Sequence, residues 1–301
     1  MKRIVVFGVV AAVGGLSMAL AAGQRGGNQQ REVGVTQVRD NLYMLTGGGG
    51  NTAAFVTTNG VVVVDAKNPG WGQPILAKIR EITPNPVTVL INTHTHGDHV
   101  GGNRDFPASV DVVVQENTRA SMARMEQFQA SGAPGMADRT FADRMTIGSG
   151  PDAIELYYFG PGHTNGDAWV VFPSARAVHT GDIFAGKAVP LVDAANGGSV
   201  LHYAESVGKA YAGIQGVDTI IAGHTPQTMP WSELGTFVEF NQDFLAWAQA
   251  QLQAGKTPEE AAAEWTLPEK YAALGYSPNV AGLFGGLAGR IQRLADEMGG
   301  R

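Results

Sequence analysis

Short apolar runs broken by polar positions fill the first third of the chain. Val33–Val38, Leu42–Leu45, Ala53–Thr57 and Val61–Asp65 are rich in apolar and β-branched residues and are separated by Gly, Asn and Asp, so they predict a β-meander. From Gln73 to Ile82 the period changes. Ile75, Leu76, Ile79 and Ile82 fall on one face of a helix, which Pro84 and Pro86 terminate. Val87–Asn92 and Val110–Gln115 read as buried strands and Glu116–Ala130 as a helix, followed by a Gly/Pro loop over Ser131–Asp138. Ile154–Phe159, Ala168–Phe172, Ala175–His179 and Thr219–Ala222 read as further strands, with a helix over Leu201–Ile214. The C-terminal part is helical. Pro230–Gln253 carries Trp231, Phe237, Phe240, Phe244 and Trp247; Thr257-Pro258-Glu259-Glu260 is a strong helix start; and a last helix is expected over about Val280–Met298. Strands first, then strand–helix units, then a helical tail imply layered α and β structure.

The start of the chain follows a different pattern. Lys2 and Arg3 precede an apolar run from Ile4 to Ala22 that ends near Ala19-Leu20-Ala21, the arrangement of a secretory signal peptide. Residues 1–22 are therefore expected to be removed, leaving a flexible N-terminus over 23–32 and a periplasmic or secreted domain over 33–301 without a stable membrane anchor. An uncleaved anchor is the alternative, since the run approaches the ~20 residues that span a bilayer.

Composition narrows the chemistry. Of 301 residues, 44% are hydrophobic and 16% charged, a globular balance. The net charge of −6 argues against nucleic acid as a partner and leaves a small-molecule substrate as the expected one. The absence of cysteine excludes disulfides, thiolate metal ligands, a cysteine nucleophile and a lipoprotein anchor, so any metal must be held by His, Asp, Glu or water.

One segment stands out on those terms. Thr93-His94-Thr95-His96-Gly97-Asp98-His99 follows the strand Val87–Asn92 and places three imidazoles and a carboxylate within six residues, with Gly97 allowing a sharp turn. Protonated together these groups repel, and buried unpaired they are unsatisfied; a divalent cation removes both problems. His163, Asp182 and His224 each sit in a glycine-containing turn after a predicted strand, where layered α/β proteins build sites. Gly47–Gly50 lacks the helix and Lys-Ser/Thr of a phosphate loop and reads as a tight turn near the site.

The series His94-x-His96-x-Asp98-His99, then His163, Asp182 and His224, resembles the metal-ligand series of the metallo-β-lactamase superfamily, over nearly the whole mature chain. The resemblance implies an αββα sandwich of two mixed sheets with helices outside, the helical C-terminal extension beginning near residue 231. It implies two Zn2+ ions, although iron or manganese also suits these donors. His94, His96 and His163 would hold the first, Asp98, His99 and His224 the second, and Asp182 would bridge them. A hydroxide between the ions would attack a carbonyl of an ester, lactone, thioester or lactam, with Asp98 also orienting it as a catalytic residue. Asp65 would accept a hydrogen bond from a ligand histidine; as a bare residue it reads equally as a turn aspartate. Asp167 is a weaker candidate of the same kind. Lys187 is placed to hold a substrate carboxylate, or is simply solvated. Trp71 is a cleft candidate or an ordinary core tryptophan, and His179 and His202 read as structural or surface residues.

The family's best-known lactamases carry cysteine or serine at the Asp182 position, whereas glyoxalase-II-like thioesterases and lactonases carry aspartate. Export favours a lactamase proper and Asp182 favours the other esters. An iron-dependent oxygenase or oxidoreductase on the same fold is the further alternative.

Overall fold

The structure, a computed structural model, describes residues 31–277 and 283–299. The expectations for residues 1–30 and for 280–282 of the last helix lie outside the described residues.

Seven strands form the first sheet, in spatial order identical to chain order: β1 (Gly34–Arg39), β2 (Leu42–Thr46), β3 (Thr52–Thr57), β4 (Gly60–Val64), β5 (Val87–Ile91), β6 (Asp111–Gln115) and β7 (Arg139–Phe141). β1–β4 are the antiparallel meander, and β4 through β7 pair in parallel. The second sheet contains β8 (Arg144–Ile147), β9 (Ile154–Tyr157), β10 (Trp169–Phe172), β11 (Ala177–Gly181), β12 (Thr219–Ala222) and β13 (Met229–Pro230). It is antiparallel except where β11 and β12 run in parallel.

The valine run of β4 shows why the sheets stack. Val62 and Val64 join Phe55, Ile91, Val170, Phe172 and Ile221 in a core between the sheets. Val61 and Val63 join Ile75 and Ile79 of the helix Gly72–Ile82 on the outer face. A strand covered on both faces has no polar side to keep, which explains the unbroken apolar sequence. Phe55 and Phe172 meet across the sheets with ring centroids 5.1 Å apart. The outer face of the second sheet is covered by the helices Val200–Gly213, Ser232–Gln253 and Gly286–Gly299, through Trp169, Val207, Phe237, Phe240 and Ile291. The expected αββα sandwich is thus the observed one. Burial of each large apolar side chain contributes roughly 1.5–3 kcal/mol.

Several boundaries differ from expectation for identifiable reasons. The helix expected over Glu116–Ala130 stops at Met122, because Met125 turns extended and a short 3-10 turn then places Phe128 in the core. β7 and β8 are edge strands of three and four residues, too short to display a period. β11 starts two residues later than expected, because Ala175 and Arg176 complete a turn in which Arg176 has φ 52°. β11 also runs on to Gly181, two residues past its expected end, so Asp182 follows the strand directly. Met229 and Pro230 pair with β12, so the long helix begins at Ser232. The start at Thr257 is a complete capping box with Glu260. Among the described residues, no helix is long and apolar enough to cross a membrane.

Candidate metal centre

The parallel pairs β4–β5 and β11–β12 bring four strand ends to one edge of the sandwich. Asp65 follows β4, Thr93–His99 follow β5, Asp182 follows β11, and Gly223-His224 follow β12. His163 enters from the connection between β9 and β10. The seven residues singled out in the sequence fall into two groups: His94, His96, His163 and Asp182, and Asp98, His99 and His224. Within each group one ligand atom per residue lies within 4.8 Å of the others.

Asp182 faces both groups. Its Oδ2 is 3.9 Å from His94 Nε2, 3.8 Å from His163 Nε2 and 3.2 Å from His224 Nε2, while Oδ1 is 3.3 Å from His99 Nε2. Asp98 Oδ2 is 3.3 Å from His224 Nε2 and 3.7 Å from His99 Nε2.

The outer nitrogens of four imidazoles are held, and their partners fix which nitrogen carries a proton. The Leu191 carbonyl, which can only accept, is 2.8 Å from His163 Nδ1. Asp193 Oδ2 is 2.8 Å from His96 Nε2, and Asp65 Oδ2 is 2.7 Å from His99 Nδ1. Thr93 Oγ1 donates to Asp65, so it accepts from His94 Nδ1 at 3.0 Å. In the neutral form each ring then directs a lone pair inward: Nε2 of His94, His99 and His163, and Nδ1 of His96. His94 Nε2 is buried with no hydrogen-bond partner, and His99 Nε2 and Asp182 Oδ1, equally buried, have only each other at 3.3 Å. Buried orphans of this kind are costly unless a further group satisfies them, and convergent N and O donors of this type fit divalent metal ions.

Electrostatics agree with the geometry. Burial and the neighbouring His99 and His96 push the His94 imidazole well below its ordinary range, and burial takes His163 down to about 4, so both are neutral at pH 7. Burial opposes charge at His99 and His224 as well. Asp182 and Asp65 nevertheless hold His99 well above its usual value, and bonds to Asp182 and Asp98 raise His224 to about 9. In turn His99 and His224 keep Asp182 well below the usual carboxylate range despite its burial. Without a cation, the second group binds protons where a metal would sit.

Asp65 is the hub of the support. Fully buried, with φ 64°, it accepts from Thr93 N, Thr93 Oγ1 and His99. Asp167 instead braces its own turn, accepting from Thr164 N and Oγ1, and burial raises its carboxyl to about 7. His179 is buried between Asn51 O and Gly181 N, a structural role, while His202 is exposed near Glu205. Lys187 lies beside the site with its ammonium 2.7 Å from Glu233 and 3.2 Å from Leu274 O. The Trp71 ring sits on the backbone of Gly48, where an added Cβ would come within 2.1 Å of it. The glycine loop does lie at the site, through Gly50 N to Asp98 O.

Sequence reasoning missed three residues. Asp193 lies in a loop eleven positions after Asp182 and carries no spacing signal. Lys67 is fully buried, joins the Leu45 and Gly50 carbonyls, and is lowered by burial to about 7. Phe284 stacks on His96 with centroids 5.7 Å apart and remains 47% exposed, an apolar lip beside the site.

The family model described as the metallo-beta-lactamase superfamily matches residues 45–233. A 2,4-dinitroanisole O-demethylase subunit alpha of Nocardioides sp. (strain JS1661) is 30% identical over 160 residues, 52% of this chain and 48% of that one. A hydroxyacylglutathione hydrolase of Nostoc punctiforme is 35% identical over 133 residues, 42% and 44% of the two chains. A metallo-beta-lactamase type 2 of Elizabethkingia meningoseptica is 25% identical over 228 residues, 69% and 86%. The chain thus spans about half the length of the first two relatives. Among solved structures, a metallo-beta-lactamase from Pontibacter korlensis superposes with a TM-score of 0.59 at 22% identity, covering 70% of this chain and 99% of that one. The sec-alkylsulfatase Pisa1 from Pseudomonas sp. reaches 0.71 at 16% identity, covering 88% and 50%. At these identities the two structures speak to the fold alone.

Proposed function

Because the chain belongs to the metallo-beta-lactamase superfamily, we propose that it is a binuclear metallohydrolase acting on the carbonyl of a small ester, lactone, thioester or lactam. The observation that carries this reading is the convergence of both oxygens of Asp182 on two histidine groups whose outer nitrogens are largely held by protein acceptors. His94, His96 and His163 would hold one ion, Asp98, His99 and His224 the other, with Asp182 between them. Zinc at these positions would supply Lewis acidity toward a carbonyl oxygen and a water acidic enough to ionise at neutral pH.

The chain's own residues supply orientation and proton handling. Asp193, the Leu191 carbonyl, Thr93 and Asp65 lock the rings, so little reorganisation is needed when substrate arrives. Asp98 is the most solvent-open carboxylate of the set, 31% exposed at its side chain, and His224 and His99 keep it ionised although burial works the other way. Its Oδ2 is placed to accept a proton from an attacking water and return it to the leaving group. The hydroxyacylglutathione hydrolase and lactamase relatives support hydrolysis. The basic, apolar and Ala-Leu-Ala pattern of residues 1–22 supports export to the periplasm.

The test is metal analysis of the purified mature chain, then turnover of a chromogenic cephalosporin, a thioester and a lactone with zinc present, alongside Asp98→Asn. Two equivalents of metal and chelator-sensitive turnover reduced at least about 100-fold in the variant are expected. Full activity in Asp98→Asn removes the assigned role, and a metal-loaded chain inert to every substrate refutes hydrolysis of this class.

A further inference from the structure

A pocket of about 270 Å³ opens beside Asp182 and His224. Its walls are mostly apolar: Val189, Pro190 and Leu191 on one side and Phe237 on another. Two cationic side chains stand among the described lining residues, His224, which Asp182 and Asp98 hold, and Lys187, whose ammonium is already partnered. Its ammonium is 2.7 Å from a carboxylate oxygen of Glu233, bonds the Leu274 carbonyl at 3.2 Å, and lies 5.9 Å from the centroid of the Tyr276 ring. Tyr276 Oη donates to the other Glu233 oxygen at 3.1 Å. The Glu233 side chain is 13% exposed and that of Lys187 31%, so the acid is largely desolvated and offsets the lysine charge at the wall. Glu233 and Phe237 stand one turn apart on the helix Ser232–Gln253, so one element supplies both the neutralising acid and an apolar wall.

We propose that this pocket receives an uncharged, apolar portion of the substrate, of the size of a short acyl chain, and that Glu233 sets this specificity by neutralising Lys187. The inference rests on the hydrolase reading for its link to turnover, but its binding component does not depend on that reading. A carboxylate entering the pocket would lose its hydration without gaining the charge of Lys187, which Glu233 already holds at 2.7 Å. An alkyl chain loses nothing comparable and gains burial. The exposed Phe284 on His96 makes another border of the centre apolar as well.

The experiment compares two matched amides, hexanamide and adipic acid monoamide, by titration calorimetry against both metal-free and zinc-loaded protein. Turnover of 4-nitrophenyl hexanoate and 4-nitrophenyl monoadipate is measured in parallel. The wild-type chain should bind hexanamide at least about tenfold more tightly in both metal states, and kcat/KM should favour the neutral ester to a similar degree. Glu233→Gln should move both ratios at least about tenfold toward the anionic ligand, and adding Lys187→Met should cancel that gain. Glu233→Ala serves as a second release of Lys187, and melting curves establish that each variant is folded. Equal binding of the two amides by the wild type, no binding of either, or unchanged ratios in folded Glu233 variants would overturn the proposal. Hexanamide preference in a metal-loaded chain that turns over no ester, thioester, lactone or lactam refutes the hydrolase reading and leaves the binding component of this one standing; ester turnover without the preference does the reverse.

Discussion

The carboxylate Oδ2 of Asp65 lies 2.7 Å from Nδ1 of His99, and neither side chain has any exposed surface. Asp65 reaches this position in the left-handed backbone region, φ 64°, immediately after β4. Aspartate tolerates that conformation better than most residues, and asparagine shares the tolerance. Asp65→Asn should therefore keep the backbone while removing the charge that fixes His99. Metal affinity of the Asp98–His99–His224 group should fall about 10–100-fold. Metal content after dialysis against graded chelator, with circular dichroism for the fold, checks this; undiminished retention of both ions would remove Asp65 from the support.

Asp193 does for His96 what Asp65 does for His99, through a 2.8 Å contact. That contact and the Asn196 amide hold its carboxyl below the usual range even though burial pushes the other way. In Asp193→Ala, His96 is free to turn or to take the wrong tautomer. The first ion should bind about 10–100-fold more weakly while the second is little changed. Cobalt substitution, followed by stepwise spectroscopic titration, separates the two sites.

The metal-free chain should release protons when it takes up zinc. His224 is raised to about 9 and His99 stands well above its usual value, so both are charged at pH 7. The stabilisation these cations give the metal-free fold is fully present below pH 6.5. That from His224 is lost as pH rises through about 9. A metal competes with the same protons, so its apparent affinity should climb with pH from 6.5 to about 9. Calorimetry in buffers of different ionisation enthalpy should register release of about one to two protons as the second group fills. A heat independent of buffer contradicts this.

Gly223 has no room for a side chain. A Cβ there would stand 2.0 Å from Asp182 Oδ1 and 2.8 Å from the Gly181 carbonyl. Gly223→Ala must therefore displace Asp182, the one residue that faces both groups. Metal content should drop for both ions together, unlike in the Asp65 and Asp193 variants. Normal metal stoichiometry in a folded Gly223→Ala protein would mean that Asp182 can move without consequence.

Much of this was legible along the chain. The valine run of β4, the apolar runs of β2 and β3 and the aromatic spacing of Ser232–Gln253 are local signals, because burial on one face imposes a period on the sequence and burial on both imposes an unbroken apolar run. The cluster from His94 to His99 announces itself for a similar reason: such a density of imidazoles and acid needs a shared partner. The edge strands β7 and β8 and the break at Met125 were not legible. Three or four residues hold no period, and the break is decided by where Phe128 finds its core.

The sequence by itself determined the layered α/β class and named seven residues that could hold metal, because residue type and position after a strand are local properties. Only the tertiary structure decided how they are grouped. The parallel pairing of β4 with β5 and of β11 with β12 brings the ends together, and the two oxygens of Asp182 then face different histidines. It also decided which nitrogen each ring presents, since the Leu191 carbonyl, Asp193 and Asp65 meet their histidines across 28, 97 and 34 positions. The commitment of Lys187 to Glu233 is equally invisible in the sequence, where the two stand in separate elements. Contacts at such separation depend on how strands pair and helices pack, and no local pattern of residues encodes them.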